Sequence, residues 1–385
     1  MFDDLDLDFL RAREGVKWNA VGPDVLPAWI ADMDFPVPAA VREAIARHAD
    51  RELGYPSWDS EDVANPLGEA FTARMDRLYG WRPDPAHTRV FTELIQALQV
   101  VLFAGTEPGD GVLIHTPAYP PYLGTLELMG RRTVPIPMID TPDGWSFDAG
   151  RLAEDAAGCR VLVLVNPHNP TGRAFRRDEL EAIAEVAERH DLLVVSDEIL
   201  SDLVYAPHEH IPFASVGSGA AARTVTLNSA SKGFNLAGLR CSVAHVGHEG
   251  LRRALADYPP QLFGDVSALS VTATIAAWEQ CDDWLKEALA TLDRNRALLA
   301  DHLPPGVRFR TPEAAYLAWL DCRPLALDRD PAAFFLDHAG VKLVPGPSFG
   351  PEGEGFARLN FGTPAPVLRQ ILTRLTAATP TPRPS

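Results

Sequence analysis

The stretch Asn228-Ser229-Ala230-Ser231-Lys232-Gly233-Phe234-Asn235-Leu236-Ala237-Gly238-Leu239-Arg240 places one lysine between small hydroxyl residues. An apolar run at 224–227 precedes it, and a glycine-containing turn and an arginine follow. Such a lysine can form a Schiff base with an aldehyde, while Ser229, Ser231 and Arg240 can hold a phosphate. Pyridoxal 5′-phosphate (PLP) carries both groups, so the stretch predicts a PLP site. Taken alone, it leaves open an exposed turn with a solvated lysine.

Length, composition and charge indicate a globular protein with one large and one smaller domain. Of the 385 residues, 46% are hydrophobic and 23% are charged. The formal net charge of −17 argues against nucleic acid or an anionic membrane as a general partner. The start of the chain, MFDDLD, is acidic where a signal peptide would be basic, and no apolar run reaches the length of a membrane span. We therefore expect a cytoplasmic protein.

The cysteines are widely separated and form no C-x-x-C pair; they are Cys159, Cys241, Cys281 and Cys322. This spacing indicates neither a zinc site nor a disulfide framework. We expect buried thiols in a reducing compartment and no metal site.

Short apolar runs rich in β-branched residues alternate with helix-like stretches in the middle of the chain. The runs lie at 112–114, 161–165, 192–195, 224–227 and 242–246. Runs of this kind fit strands that are buried on both faces. The stretch 177–189 carries apolar residues at helical spacing. The alternation predicts an α/β fold with a mostly parallel sheet flanked by helices.

The domain boundaries follow from changes in these patterns. We predict an N-terminal segment packed on the small domain, a large domain, a small α+β domain and a disordered tail, at 1–45, 46–280, 281–378 and 379–385. A long helix at 265–303 is expected to bridge the domains. Short strands and helices are expected beyond it, at 315–320, 331–338, 357–361 and 366–377.

Polar motifs follow three of the predicted strands directly. N-P-H-N-P-T-G at 166–172, S-D-E at 196–198 and S-x-S-K at 229–232 each begin where an apolar run ends. Open α/β sheets bind ligands at the carboxyl ends of their strands. We therefore expect the three motifs to meet at one edge of the sheet and to form the cofactor site.

These motifs, with R-L-N-F at 358–361, have the order and spacing found in fold-type I PLP enzymes, and the chain resembles the class I/II aminotransferase superfamily. Other segments resemble its C–S lyase branch, the cystathionine β-lyase-like enzymes. They are V-K-W at 16–18, L-P-A-W-I-A-D-M-D-F at 26–35, G-Y at 54–55, T-P-A-Y-P-P at 116–121 and the histidine at 168. The resemblance covers nearly the whole chain and implies the PLP-dependent transferase-like fold.

The resemblance implies roles for the residues around the cofactor ring. Lys232 would hold PLP as a Schiff base and, once a substrate amine displaces it, move the Cα proton. Asp197 would pair with the pyridine nitrogen and keep it protonated, although an aspartate after a strand can also simply cap a helix. Asn169 would donate to the ring 3-hydroxyl, and Tyr119 would stack on the ring unless it is a core tyrosine. His168 is expected to pack and to have no catalytic role.

The resemblance also implies a cup for the phosphate. Its side chains would be those of Ser229, Ser231 and Arg240. Backbone amides at a helix start would complete it, those of Leu94, Ile95 and Gln96. Tyr55 corresponds to a tyrosine that reaches the phosphate of the neighbouring subunit, which implies a homodimer with shared active sites. An ordinary turn at 54–56 is the alternative for Tyr55.

Substrate contacts are expected from the remaining motifs. Arg358 would grip the substrate carboxylate in a bidentate pair, with a surface arginine on an edge strand as the alternative. Asn166 would assist at the same carboxylate, as in related enzymes. Trp29 and Asp32 lie in the segment that lines the substrate entrance in this branch, and a structural role for both is equally open.

Three departures from the branch pattern affect the substrate prediction. Leu94 stands where the phosphate loop usually has glycine, so its side chain is expected to push the loop or narrow the pocket. Leu200 stands where the branch has a histidine that helps to hold the 3-hydroxyl, which would leave Asn169 to act alone. Thr363 replaces a common cysteine. The departures put the housekeeping cystathionine reaction in doubt and leave open a specialised substrate, such as a cysteine S-conjugate of a secondary metabolite.

We therefore hypothesise α,β-elimination from a cysteine S-conjugate or a cystathionine-like thioether, which yields a thiol, pyruvate and ammonia. An aminotransferase needs the same residues, so the motifs leave that activity open. So do decarboxylation and oxidative deamination on the same scaffold. A non-catalytic regulatory or binding protein with this fold is a further alternative.

Overall fold

The computed structural model describes residues 2–60 and 63–380, so residues 381–385 of the predicted disordered tail lie outside the described part. Its largest sheet has eight strands. In spatial order they are Thr88–Phe91, Ser242–Val246, Thr224–Asn228, Leu193–Asp197, Cys159–Val165, Gly111–Thr116, Arg132–Thr141 and Gly144–Phe147. The five strands from Thr224–Asn228 to Arg132–Thr141 run parallel, and the other pairings are antiparallel. The predicted α/β fold with a mostly parallel sheet is confirmed.

Both faces of this sheet are covered, because successive side chains on a strand point to opposite sides. Val112 and Ile114 belong to one apolar cluster, and Leu113 between them belongs to another on the opposite face. Helix Leu94–Gly105 packs into the first cluster and helix Arg177–Arg189 into the second. This burial on both faces explains the continuous apolar runs that predicted the strands.

The carboxyl ends of the parallel strands bring the polar motifs together. Val165 is paired with Asp197, and Asp197 with Leu227, so the three strands end in register. Asn166, Glu198 and Ser229 therefore begin their loops at the same edge of the sheet. The expectation that the motifs meet at one edge is confirmed.

A second, antiparallel sheet lies in the C-terminal part of the chain. Its strands, in spatial order, are Arg308–Phe309, Leu317–Asp321, Phe356–Asn360 and Val344–Pro345. The N-terminal strand Leu26–Pro27 pairs in parallel with Val341–Lys342, and Phe2, Leu10 and Trp18 share an apolar cluster with the C-terminal part. The domain boundaries at residues 45 and 280 remain a prediction.

The predicted long helix at 265–303 is wrong in one respect. The structure has two helices, Ala268–Gln280 and Asp282–His302, which are separated at the buried Cys281. Asp282 and Asp283 begin the second helix, where acidic side chains interact favourably with the helix dipole. This acidic pair could have predicted the break.

The other α-helices of the described residues are Leu7–Arg11, Val16–Asn19, Ala39–Ala49, Leu67–Tyr79, Pro120–Leu128, Ala149–Asp155, Ser218–Arg223, Ala230–Gly233, Glu249–Ala256, Pro331–Ala339 and Ala365–Ala378. None of the described helices is both long and apolar enough to cross a bilayer. All four cysteines are free and buried. The described residues contain no cluster of side chains suited to a metal ion.

Candidate active site

Lys232 lies in the short helix Ala230–Gly233, which directly follows strand Thr224–Asn228. Its Nζ donates a hydrogen bond to the carbonyl oxygen of Ala31 over 2.6 Å and lies 3.8 Å from Oδ1 of Asp32. Burial lowers the pKa of the lysine, and the Asp32 carboxylate opposes this effect. A larger fraction of neutral amine follows, and the neutral amine is the form that attacks an aldehyde.

Asp197 is the last residue of strand Leu193–Asp197, and its side chain is buried. Oδ2 accepts a hydrogen bond from the Tyr122 hydroxyl over 2.5 Å, and Oδ1 accepts one from the Ile199 amide over 3.0 Å. Burial raises the pKa of Asp197 to about 6, and both hydrogen bonds lower it. A carboxylate has further acceptor positions, so Asp197 can still receive an N–H from a ring nitrogen.

Arg358, on a strand of the small sheet, contacts Asn169, which lies in the loop after a strand of the large sheet. Nη1 of Arg358 donates to Oδ1 of Asn169 over 3.1 Å, and Nη2 donates to the carbonyl oxygen of Trp29 over 3.2 Å. The guanidinium stacks on the ring of Phe349, with 5.1 Å between Cζ and the ring centroid. Burial lowers the pKa of Arg358 to about 10, and its buried Nε has no hydrogen-bond partner among the described residues. A carboxylate ligand would supply the missing acceptor.

Tyr119 lies between these groups, at the N-terminal end of helix Pro120–Leu128. Its ring is nearly perpendicular to that of Tyr122, with 5.7 Å between the centroids. Burial raises its pKa; the positive charge of Arg358 lowers it, and the negative charge of Asp197 raises it. The structure thus brings Tyr119, Lys232, Asp197, Asn169 and Arg358 together, as the sequence predicted, while their individual roles remain predictions.

Some of the side chains predicted to bind the phosphate already have hydrogen-bond or ionic partners within the chain. The Ser229 hydroxyl donates to the Cys241 carbonyl over 2.6 Å and accepts from the Ser231 amide over 3.1 Å, so it caps the helix that carries Lys232. Arg240 is paired with the carboxylate of Glu93. A phosphate would therefore share Arg240 with Glu93, which contacts only Nη1 of the guanidinium, and sequence reasoning gave the Glu93 side chain no role.

The predicted helix start of the cup is present, because helix Leu94–Gly105 begins at the expected residue. Its first-turn amides have no acceptor within the helix, which favours an anion. Leu94 is buried and belongs to the apolar cluster on that face of the sheet. The side chain of Gln96 accepts from the Thr92 amide and donates to the Phe263 carbonyl, so only its backbone is free for a phosphate.

Two predicted substrate contacts have structural partners in this chain. Asn166 accepts from the Phe175 amide over 3.1 Å and donates to the Ile211 carbonyl over 3.4 Å. The Trp29 indole donates to the Lys17 carbonyl over 3.1 Å, and its ring receives Nζ of Lys342 at 3.9 Å. These contacts support the structural alternative for Trp29 and anchor Asn166 to neighbouring loops. Their substrate roles remain predictions.

The remaining predicted positions lie at the edges of the site. Tyr55 is 94% exposed in the single chain. Leu200 is buried in the apolar cluster that also contains Tyr316, and it offers no donor. Thr363 is buried, and its backbone carbonyl accepts from Asn295 over 2.6 Å.

Sequence reasoning missed Tyr122, Tyr316 and Asn360. Asn360 donates to the carbonyls of Ile30 and Asp32, and Tyr316 donates to the carbonyl of Ala31. Asn360 was within reach of sequence analysis, because it lies two residues after Arg358 and so on the same face of the strand. The signal for Tyr316 was weaker, since a tyrosine in an apolar strand usually belongs to the core.

Comparison with known proteins decides the family. A family model described as aminotransferase class I and II matches residues 30–375. The chain is 35% identical to the cystathionine beta-lyase PatB of Bacillus subtilis over 380 residues, which cover 95% of this chain and 96% of that protein. This chain belongs to the class I and II aminotransferase family. The predicted resemblance is confirmed.

Solved structures of similar proteins share the fold of this chain over nearly its whole length. The PLP-bound C–S lyase of Staphylococcus hominis is 30% identical, with a TM-score of 0.90 and 98% of both chains covered. Cystalysin of Treponema denticola, which contains a PLP cofactor, is 27% identical, with a TM-score of 0.89 and 96% of both chains covered. The predicted fold type is confirmed.

The polar side chains that this chain brings together at the site fit PLP. A buried carboxylate with free acceptor capacity, Asp197, suits a pyridine nitrogen, and the amine of Lys232 suits an aldehyde. When bound, PLP withdraws electrons from the Cα of an attached amino acid and so stabilises a carbanion there. The residues that would hold it are Lys232, Asp197, Asn169, Tyr119, Ser231, Arg240 and the amides at 94–96.

Proposed function

We propose that this protein is a PLP-dependent C–S β-lyase that acts on cysteine S-conjugates as a homodimer in the cytoplasm. The main support is the arrangement of Arg358 and Lys232: both side chains donate to carbonyls of one segment, those of Trp29 and Ala31. A carboxylate held at Arg358 would keep an amino acid beside the lysine amine. Relatives that match nearly the whole chain are named cystathionine beta-lyase, which agrees with this activity.

The chain's own groups would perform the following work. Arg358 pairs with the substrate carboxylate and fixes Cα. The neutral amine of Lys232 takes the Cα proton, and the Asp32 carboxylate 3.8 Å away stabilises the resulting ammonium. The Cβ–S bond then breaks, and the sulfur leaves with the bonding electron pair as a thiolate. Water completes the reaction, so that thioether and water become thiol, pyruvate and ammonium.

A thiolate is a good leaving group, so the mechanism needs little acid assistance at sulfur. In the experiment, purified protein is incubated with L-cystathionine and with a series of S-alkyl-L-cysteines, and pyruvate and free thiol are measured. Equimolar release of both is expected from at least one compound, and Lys232→Ala is expected to release neither. If no compound yields pyruvate, the lyase proposal is wrong. Amino transfer to a 2-oxo acid in the same samples would identify an aminotransferase instead.

The homodimer with shared sites is supported by Tyr55, whose ring is 94% exposed beside Leu53, itself 68% exposed. Complementation tests it. Tyr55→Ala and Lys232→Ala, each inactive alone, are mixed after mild dissociation. Mixed dimers would contain one site with both residues intact, so about a quarter of wild-type activity is expected. Sedimentation shows whether the mixture has exchanged subunits. If it has exchanged them and remains inactive, shared sites are contradicted.

The cytoplasmic location is supported by the four free cysteines, which fit a reducing compartment. Fractionation of the native host, followed by detection with an antibody, tests it. Protein in the soluble cell fraction is the expected result.

A further inference from the structure

The carbonyl oxygen of Ala31 accepts two hydrogen bonds at the centre of the site. Nζ of Lys232 donates over 2.6 Å, and the hydroxyl of Tyr316 donates over 2.8 Å. Tyr316 is 1% exposed and lies 285 positions from Ala31 in the sequence. A carbonyl oxygen has two lone pairs, so the two donors together fill its capacity.

The peptide of Ala31 is held firmly in this orientation. Nδ2 of Asn360 donates to the carbonyls on either side, that of Ile30 over 2.6 Å and that of Asp32 over 2.8 Å. The backbone of Tyr316 accepts from the Phe361 amide over 2.9 Å, which ties the tyrosine to the strand that carries Asn360. The Ala31 carbonyl therefore cannot turn away to find another donor.

Tyr316 remains a donor over the working pH range. Burial raises its pKa well above the ordinary value, and the nearby Asp32 carboxylate raises it further, while Arg358 opposes them. The charged groups that influence Lys232 are Asp32, Arg358, Asp197 and Arg240. None of the four donates to the Ala31 carbonyl in the described structure.

We propose that Tyr316 is a positioning residue for Lys232: it shares the Ala31 carbonyl with the lysine amine and so allows the amine to leave that carbonyl for an aldehyde. While Lys232 is bound elsewhere, Tyr316 keeps the carbonyl hydrogen-bonded. Without Tyr316, departure of the amine would leave the partly buried carbonyl oxygen of Ala31 without a donor in the chain, which is unfavourable. A carbonyl that already accepts from a phenol is also a weaker acceptor for the amine. The inference rests on the proposed role of Lys232.

The test compares Tyr316→Phe with a matched control, Tyr205→Phe. Tyr205 is also buried and its hydroxyl donates to a backbone carbonyl, that of Ala315, next to Tyr316. Both variants lose one buried hydroxyl from the same region, but only one of the lost hydroxyls contacts the carbonyl that holds Lys232. Far-ultraviolet circular dichroism first establishes that both fold.

Two measurements on the full chain need no substrate. In Tyr316→Phe, acylation of Lys232 in cofactor-free protein, mapped by mass spectrometry, is expected to slow severalfold and to shift to higher pH. The affinity for added PLP is expected to fall roughly tenfold, the lower part of the range for one acceptor left without a donor. Tyr205→Phe is expected to match wild type in both. Unchanged labelling and affinity in Tyr316→Phe, or equal changes in Tyr205→Phe, would overturn the proposal.

A third variant keeps the test decisive if Tyr316→Phe does not fold. Incorporation of 3-fluorotyrosine at 316 retains the ring and strengthens the donor. Lys232 is then expected to be acylated at least as fast as in wild type, and slower acylation would overturn the proposal. Because no readout requires thioether cleavage, absence of lyase activity would count against the proposed function and leave this result interpretable.

Discussion

The hydroxyl of Tyr122 donates a hydrogen bond to Oδ2 of Asp197 over 2.5 Å, and both side chains are buried. The bond joins the helix after one parallel strand to the end of another. It also opposes the effect of burial on the carboxylate, since burial raises the pKa of Asp197 and this bond lowers it. Tyr122 therefore helps to keep Asp197 ionised, the form that can pair with a protonated ring nitrogen.

Tyr122→Phe is expected to shift the pH dependence of PLP binding. Asp197 must be ionised, so binding weakens as the pH falls through its pKa, near 6 in the free protein. Removal of the donor raises that pKa, so the midpoint should move up by about one unit. Titration of the cofactor-free protein with PLP, at pH values between about 5 and 8 in steps of roughly one unit, measures this midpoint. Tyr79→Phe, which removes a buried hydroxyl bonded to the Ser201 carbonyl, should leave the midpoint unchanged.

Asp197→Asn is expected to stabilise the cofactor-free protein at neutral pH although it impairs PLP binding. The folded-state pKa, about 6, lies above the ordinary value of 3.8, so folding penalises the ionised form. The penalty is fully present above pH 6 and fades as the pH falls toward 3.8. The variant should gain roughly 3 kcal/mol at neutral pH and progressively less below the folded-state pKa. Urea unfolding at two pH values tests this, and a gain independent of pH would contradict it.

Arg358→Lys is expected to raise KM far more than it lowers kcat. A lysine cannot reach Asn169, the Trp29 carbonyl and a carboxylate at once, whereas the arginine fork has N–H groups for all three. We expect a loss in kcat/KM of about 30-fold or more. Arg323→Lys is the control, because Arg323 also stacks on a phenylalanine, Phe356, but is 56% exposed. An unchanged KM in Arg358→Lys would remove this arginine from the substrate site.

Asp202→Ala is expected to destabilise the protein by up to about 3 kcal/mol, because it leaves the buried Arg74 guanidinium with only the partly exposed Asp282 carboxylate, 3.7 Å away, as an ionic partner. Arg74 and Asp202 lie 2.5 Å apart, and both side chains are at most 3% exposed. The pair Arg77–Asp282 has the same 2.5 Å separation, but its side chains are 44% and 39% exposed. Arg77→Ala should therefore reduce the free energy of unfolding by less than about 1 kcal/mol. Similar losses in the two variants would show that burial is not the deciding factor.

The strands, and the edge of the sheet at which the polar motifs meet, were predictable because both depend on local sequence pattern. Apolar runs such as 161–165 are continuous where a strand is buried on both faces, and the polar motifs begin where the runs end. The candidates Lys232, Asp197 and Asn169 come from these motifs, and the family resemblance adds Arg358, which lies inside a strand. The break at Cys281 escaped because apolar spacing continues on both sides of it, and only Asp282 and Asp283 mark the second helix.

The contacts of segment 29–32 were not predictable, because they depend on side chains more than 200 residues away in the sequence. Its carbonyls accept from Arg358, Asn360 and Lys232, and no periodicity in 29–32 indicates those donors. The Glu93–Arg240 pair was missed for the same reason.

By itself the sequence determined the class of sheet and the strand ends that carry the motifs, and it named the candidate residues for an aldehyde, a ring nitrogen and a carboxylate. Only the tertiary structure decided which hydrogen-bond partners surround them: the Tyr122 hydroxyl that donates to Asp197, and the Ala31 carbonyl that accepts from both Lys232 and Tyr316. The physical reason is the distance along the sequence over which each interaction acts. Strand burial and turn chemistry act over a few residues and leave a pattern in the chain. A hydrogen bond between distant residues depends on packing in three dimensions and leaves none.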